Sequence, residues 1–131
     1  MAFISWADKY SMNVQEIDKQ HKHLFVLLGN LHKAVSEGAE QGTLAEILDE
    51  LIDYTVYHFK TEEDLFKKYK YHDYDNHKKE HDDLTKQVVE LQKQFMDGSA
   101  TISFEVLDFL RDWLLTHTMG SDMKYVNFIT D

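Results

Sequence analysis

The chain contains no proline and only five glycines, so almost nothing in it forces the backbone out of a helical conformation. The few interruptions cluster, and they divide the sequence into four stretches. Asp18 can cap the first helix, which would run to Gly38, and Thr43 with Glu46 three residues on forms a capping box for a second that should end near Tyr69. Asp73 or Asp75 can open the third, Gly98 stands where a left-handed terminating residue belongs, and Thr101 or Ser103 can start the fourth. At ~1.5 Å per residue the four helices would be of similar length, roughly 25–40 Å.

Within each stretch, inward positions recur at alternating steps of three and four, the rhythm of helices that pack along a seam. The first seam holds Ile17, His21, Leu24, Leu28, Leu31 and Val35, and the second Leu44, Ile47, Leu51, Tyr54, His58, Glu62 and Leu65. The third holds His77, His81, Leu84, Val88, Leu91 and Phe95, and the fourth Val106, Leu110, Trp113 and His117. The expected fold is all-α: an up-down-up-down antiparallel four-helix bundle with an N-terminal arm and a short C-terminal helical segment, one domain over residues 1–131.

Every seam contains at least one histidine. A single histidine on an apolar stripe is more often a hydrogen-bonded core residue than a ligand. Five imidazoles converging with Glu62 and Asp122 are harder to place, because each buried polar group left without a partner costs about 1–3 kcal/mol. With no cysteine in the chain, any metal must rest on imidazole and carboxylate, and two divalent cations would satisfy all seven groups at once. His58 and Glu62, like His77 and His81, are four residues apart and share a helix face. In antiparallel neighbours both pairs fall at one end of the bundle, where His21 at the start of the first helix and His117 at the end of the fourth can join them. The far end is left to leucine and valine.

His117 and Asp122 fit less easily, since five residues of ideal helix rotate by ~140°. Irregular backbone is expected from Thr118 to Ser121, around Gly120, with a π-type turn as one form of it. His23 and His72 are expected to be solvated. His32 lies about 16 Å along the axis from His21 and is expected to be a core or boundary residue.

A formal charge of −10 argues against nucleic acid and anionic membranes as partners. No run approaches the roughly 20 apolar residues needed to span a bilayer, and the first residues lack a basic leader, so a cytoplasmic protein without membrane insertion is expected. Two enzymatic alternatives are weaker. The segment His77-Lys78-Lys79-Glu80-His81 satisfies the His-x-x-Glu-His pattern of one zinc peptidase class, but leaves the other inward polar groups unexplained. The Glu-x-x-His spacing of ferritin-like oxidases does not occur.

The segments Ile17-Asp18-Lys19-Gln20-His21, His58-Phe59-Lys60-Thr61-Glu62-Glu63, His77-Lys78-Lys79-Glu80-His81 and Trp113-Leu114-Leu115-Thr116-His117, followed by Asp122, resemble those of hemerythrins and bacterial hemerythrin-like domains. The resemblance runs from Trp6 to Tyr125. It implies two iron ions, one held by His77, His81 and His117 and the other by His21 and His58, bridged by Glu62, Asp122 and an oxo or hydroxo group. The first iron would then have six ligands and the second five, and dioxygen would bind reversibly at the vacancy, for transport or storage rather than catalysis. Leu24, Phe59, Trp113 and Leu114 are expected to keep that pocket dry. Tyr125, one turn beyond Asp122, is expected either to hydrogen-bond that carboxylate or simply to pack. A monomer is expected, with room for a protein partner that receives the oxygen; sensing through a partner and iron storage are the alternatives that keep the same fold.

Overall fold

The computed structural model describes residues 3–12, 14–99 and 101–125. After a short 3-10 helix at Asp8–Tyr10 come α1 (Gln15–Ser36), α2 (Gln41–Lys68), α3 (Tyr74–Met96) and α4 (Phe104–His117). Helical backbone then continues as a π turn over Thr118–Asp122 and on through Tyr125. Among the described residues there is no strand, and no helix is long and apolar enough to cross a membrane. Short connections make consecutive helices antiparallel neighbours, and α1 packs against α2 and α4 while α2 packs against α3.

The punctuation explains most boundaries. Gly38 and Gly98 adopt φ of 71° and 83°, and in each case the next residue donates its N–H five residues back, Ala39 to Ala34 O at 3.0 Å and Ser99 to Gln94 O at 2.8 Å. These bonds satisfy carbonyls that a helix end otherwise leaves bare. The same turn closes α2 with Tyr71 N–H on Phe66 O at 2.9 Å, yet its left-handed residue is Lys70, at φ 52°. Glycine placement therefore could not reveal that ending.

Two expected caps do not form. α1 begins at Gln15, ahead of Asp18, whose carboxylate instead accepts from the Met12 N–H at 2.7 Å and the Ser11 hydroxyl at 2.6 Å, tying the N-terminal arm to the helix. α2 begins at Gln41 after Glu40, so Thr43 lies inside the helix and no capping box is made. Ser103 does cap α4, accepting from the Val106 N–H at 3.2 Å. The helices are also unequal: α2 has 28 residues and α4 has 14, about 42 Å against 21 Å.

Two apolar clusters fill the interior. The larger contains Leu24, Leu28, Leu31, Leu48, Leu84 and Leu107 among others; the smaller contains Met12, Ile17, Phe66, Tyr71 and Tyr125. Ile17 and Leu24 flank His21, and Phe59 and Phe66 flank the level of Glu62, so a polar layer lies between the two clusters. The histidine level is therefore not the open end of the bundle but is closed off by aromatic rings. On α2 the buried face also drifts, for Phe66 is fully buried where Leu65 is half-exposed. A straight helix of 3.6 residues per turn walks ~20° per heptad away from a 3.5-residue seam, which accounts for this shift.

Candidate metal centre

The polar layer is supplied by every helix. His21 comes from α1, His58 and Glu62 from α2, His77 and His81 from α3, His117 from the last position of α4 and Asp122 from the end of the π turn. All seven side chains are buried, with exposure between 0% and 4%. The widened turn solves the angular conflict between His117 and Asp122, since it brings Asp122 Oδ1 to 3.1 Å from His117 Nε2. It lies where irregular backbone was expected and extends one residue further. Gly120 is not its steric cause: its φ is not left-handed, and a Cβ there would meet nothing within 4 Å.

The seven groups fall into two overlapping sets. Glu62, His77, His81, His117 and Asp122 form one, His21, His58, Glu62 and Asp122 the other, and in each the potential ligand atoms lie within 4.8 Å of one another. Glu62 Oε1 is 3.2 Å from both His58 Nε2 and His81 Nε2. Asp122 Oδ1 is 2.9 Å from His77 Nε2, while Asp122 Oδ2 is 3.1 Å from His21 Nε2. Each carboxylate thus reaches both sets.

The same contacts show that protons alone do not satisfy this layer. His21 Nδ1 and Nε2, Glu62 Oε1 and both Asp122 oxygens make no hydrogen bond, although ring nitrogens stand about 3 Å from several of them. The atoms converge on shared points instead of lying along N–H···O lines. His117 Nε2 likewise faces His77 Nε2 at 3.0 Å and His81 Nε2 at 3.1 Å, nitrogen against nitrogen. Imidazole and carboxylate donors in these numbers suit divalent transition metals.

The electrostatics agree. Burial opposes charge on Glu62 and Asp122, and the neighbouring Asp122 opposes it further on Glu62, yet the surrounding histidines hold both carboxyls well below the usual carboxylate range. Burial pushes the His117 imidazolium down, but the negative charge of Asp122, 3.1 Å away, outweighs it and lifts the group to about 10. Two buried anions demand positive charge, which bound cations would supply with better geometry.

Three of the outer ring nitrogens have partners on neighbouring helices. His58 Nδ1 meets Gln20 Oε1 at 2.7 Å, His81 Nδ1 meets Glu63 Oε2 at 3.0 Å, and His117 Nδ1 meets Glu80 Oε1 at 3.2 Å. Ser121 Oγ reaches both oxygens of Glu80, at 2.8 and 2.9 Å. Such contacts fix the tautomer with Nε2 facing inward. Sequence reasoning missed Gln20, Glu63 and Ser121 because each pairing crosses between helices and leaves no spacing signature. Glu80 sits on the outer edge of His117, directed away from the shared Nε2 cluster, so it does not play the part that the peptidase pattern would require.

Tyr125 is fully buried and donates its hydroxyl to Glu62 Oε2 at 2.6 Å. The expected acceptor was Asp122; the long phenol instead reaches across to α2. Leu24, Phe59, Trp113 and Leu114 line one apolar cavity of about 50 Å³, which continues past Leu28 and Leu110 into the larger cluster. Phe59 stacks on His81 with centroids 3.8 Å apart, and Trp113 stacks on His117 at 4.4 Å. The remaining histidines stay outside: His23 and His72 are exposed, and His32 stacks on Phe3 at 4.1 Å.

Residues 12–129 match the family model described as the hemerythrin HHE cation binding domain. A bacteriohemerythrin of Methylococcus capsulatus is 39% identical over 126 residues, covering 95% of each chain. A hemerythrin-like protein of Naegleria gruberi is 35% identical over 121 residues, covering 92% of this chain and 89% of its own. The crystal structure of a wild-type hemerythrin superposes with a TM-score of 0.92 at 37% identity, covering 96% of this chain and 97% of that one. With the family model spanning nearly the whole sequence and the layer of buried histidines present in full, the chain belongs to the hemerythrin family.

Proposed function

We propose that this protein binds dioxygen reversibly at a non-haem di-iron centre, for transport or storage. The observation that carries the reading is the pair of overlapping buried donor sets, which share Glu62 and Asp122 and contain no other common member. The names of its relatives, bacteriohemerythrin and hemerythrin-like protein, support the same reading.

In this reading His77, His81 and His117 would hold one iron, His21 and His58 would hold the other, and Glu62 and Asp122, common to both donor sets, would serve both beside an oxo or hydroxo group. The irons, when bound, supply the electrons that reversible oxygen binding requires. The protein contributes asymmetry and dryness. Three imidazoles on one side and two on the other would leave the open position on the His21–His58 side. Leu24, Phe59, Trp113 and Leu114 line an apolar cavity on the leucine side of the layer and would exclude water from it, which is what keeps uptake reversible. Tyr125 holds Glu62 in place through its hydroxyl.

The test is metal analysis together with an optical spectrum of the iron-loaded chain. Two irons per chain and a visible band that appears under oxygen and leaves under vacuum are expected. A single metal per chain, or a spectrum indifferent to oxygen, would refute the proposal. Leu114→Ala should hasten oxidation of the oxygenated protein, and an unchanged rate would remove Leu114 from the pocket.

A further inference from the structure

The two donor sets share their carboxylates, so Glu62 and Asp122 cannot distinguish them. What differs is the ring behind them. On the three-imidazole side, two rings are backed by carboxylates: Glu63 on His81 Nδ1 and Glu80 on His117 Nδ1. On the two-imidazole side, His58 is backed by the neutral amide of Gln20, and His21 Nδ1 has no hydrogen-bond partner. An anionic acceptor draws on the Nδ1 proton, enriches Nε2 and adds negative charge near a bound cation, whereas an amide does so weakly.

Both carboxylates are held for the task. Ser121 donates to Glu80, which is 46% exposed, and fixes it against His117. Glu63 is 17% exposed, and the nearest cation, Lys78, stands 4.0 Å from it while making its closer contact with Asp82 at 2.7 Å. Glu80 at the same time joins α3 to the π turn, so it links His117 to the segment that delivers Asp122.

We infer that Glu63 and Glu80 are positioning residues that set an order of metal loading, in which the three-imidazole half takes the first cation and releases it last. This rests on the two-metal reading given above. The number of rings also favours that half, so a decisive experiment must alter the outer charge and nothing else.

Cobalt(II) serves as the probe. The full chain is loaded with it, challenged with excess chelator and followed by visible absorption. Wild type should bind two ions per chain and lose them in two phases, and His58→Ala should remove the fast phase while keeping the slow one. Glu80→Gln and Glu63→Gln, which keep a hydrogen-bonding group but lose the charge, should each quicken the slow phase by about 10–100-fold and shift its cobalt band, leaving the fast phase unchanged. Far-UV circular dichroism of both variants should match wild type. Release in one phase, equal quickening of both phases, no quickening, or loss of the slow phase in His58→Ala would each overturn the loading order while leaving two-metal binding intact. Uptake of fewer than two ions per wild-type chain would instead overturn the reading beneath it.

Discussion

The leucine-lined half of the bundle and the histidine-lined half are built on the same four helices, but burial acts on them with opposite sign. Around Leu31, Leu48 and Leu107 each buried side chain gains from leaving water and needs only a neighbour of suitable shape. Around His21, Glu62 and Asp122 each buried group loses hydration and must find a partner, and five of their atoms find no hydrogen bond at all. One half needs only neighbours of the right shape; the other leaves polar atoms that cations would satisfy. The contrast implies that stability along the bundle is not uniform, and that metal acts on one half of it.

The largest effect expected is from the metals themselves. Stripping them with chelator should lower the thermal midpoint strongly, and hydrogen exchange should quicken around Glu62, His77 and Asp122 while amides near Leu31 and Leu48 stay protected. Uniform quickening along all four helices would erase the distinction between the halves. Next comes Leu31→Ala, which should cost about 2–5 kcal/mol by denaturant titration, equally with and without metal, because it opens a cavity in the half that needs none. A cost that depended on metal would show the halves to be coupled. Tyr125→Phe removes the donor from Glu62 Oε2 and should cost about 1–3 kcal/mol in the metal-free protein. Thermal melts of the variant should show this loss shrinking in the metal-loaded form, where the carboxylate has cations to face. The smallest effect belongs to Lys70, whose left-handed φ of 52° strains a side-chain-bearing residue. Lys70→Gly should stabilise by about 0.5–1 kcal/mol in the same titration, outside either half.

The contrast also marks how far the chain could be read before its structure was known. Helix number, the end of α1 near Gly38, the left-handed residue at Gly98 and a start of α4 at Thr101 or Ser103 followed from local chemistry, and local chemistry is what a sequence displays. The convergence of five imidazoles was legible for a related reason: ring positions four residues apart must share a face, and antiparallel packing then brings the faces together. The caps assigned to Asp18 and Thr43 failed because both residues can serve several local roles, and tertiary contacts decided; Asp18 bonds the arm instead. The plug of Met12, Phe66, Tyr71 and Tyr125 escaped notice because it draws on the arm, a drifting face of α2, a loop and the segment after the π turn, which share no fixed period. Gln20, Glu63 and Glu80 were equally hidden, since their meaning lies in which ring stands opposite them.

The π turn at Thr118–Asp122 carries one more residue than a regular helical path needs. Deleting a single codon there would restore ordinary winding and leave the aspartate four residues after His117, still on the same face of the helix. The bundle would keep its leucine core, and the layer would keep both carboxylates that its two donor sets share. In genetic terms, the π turn reads as a one-residue insertion that the helix absorbed without displacing the carboxylate beyond it.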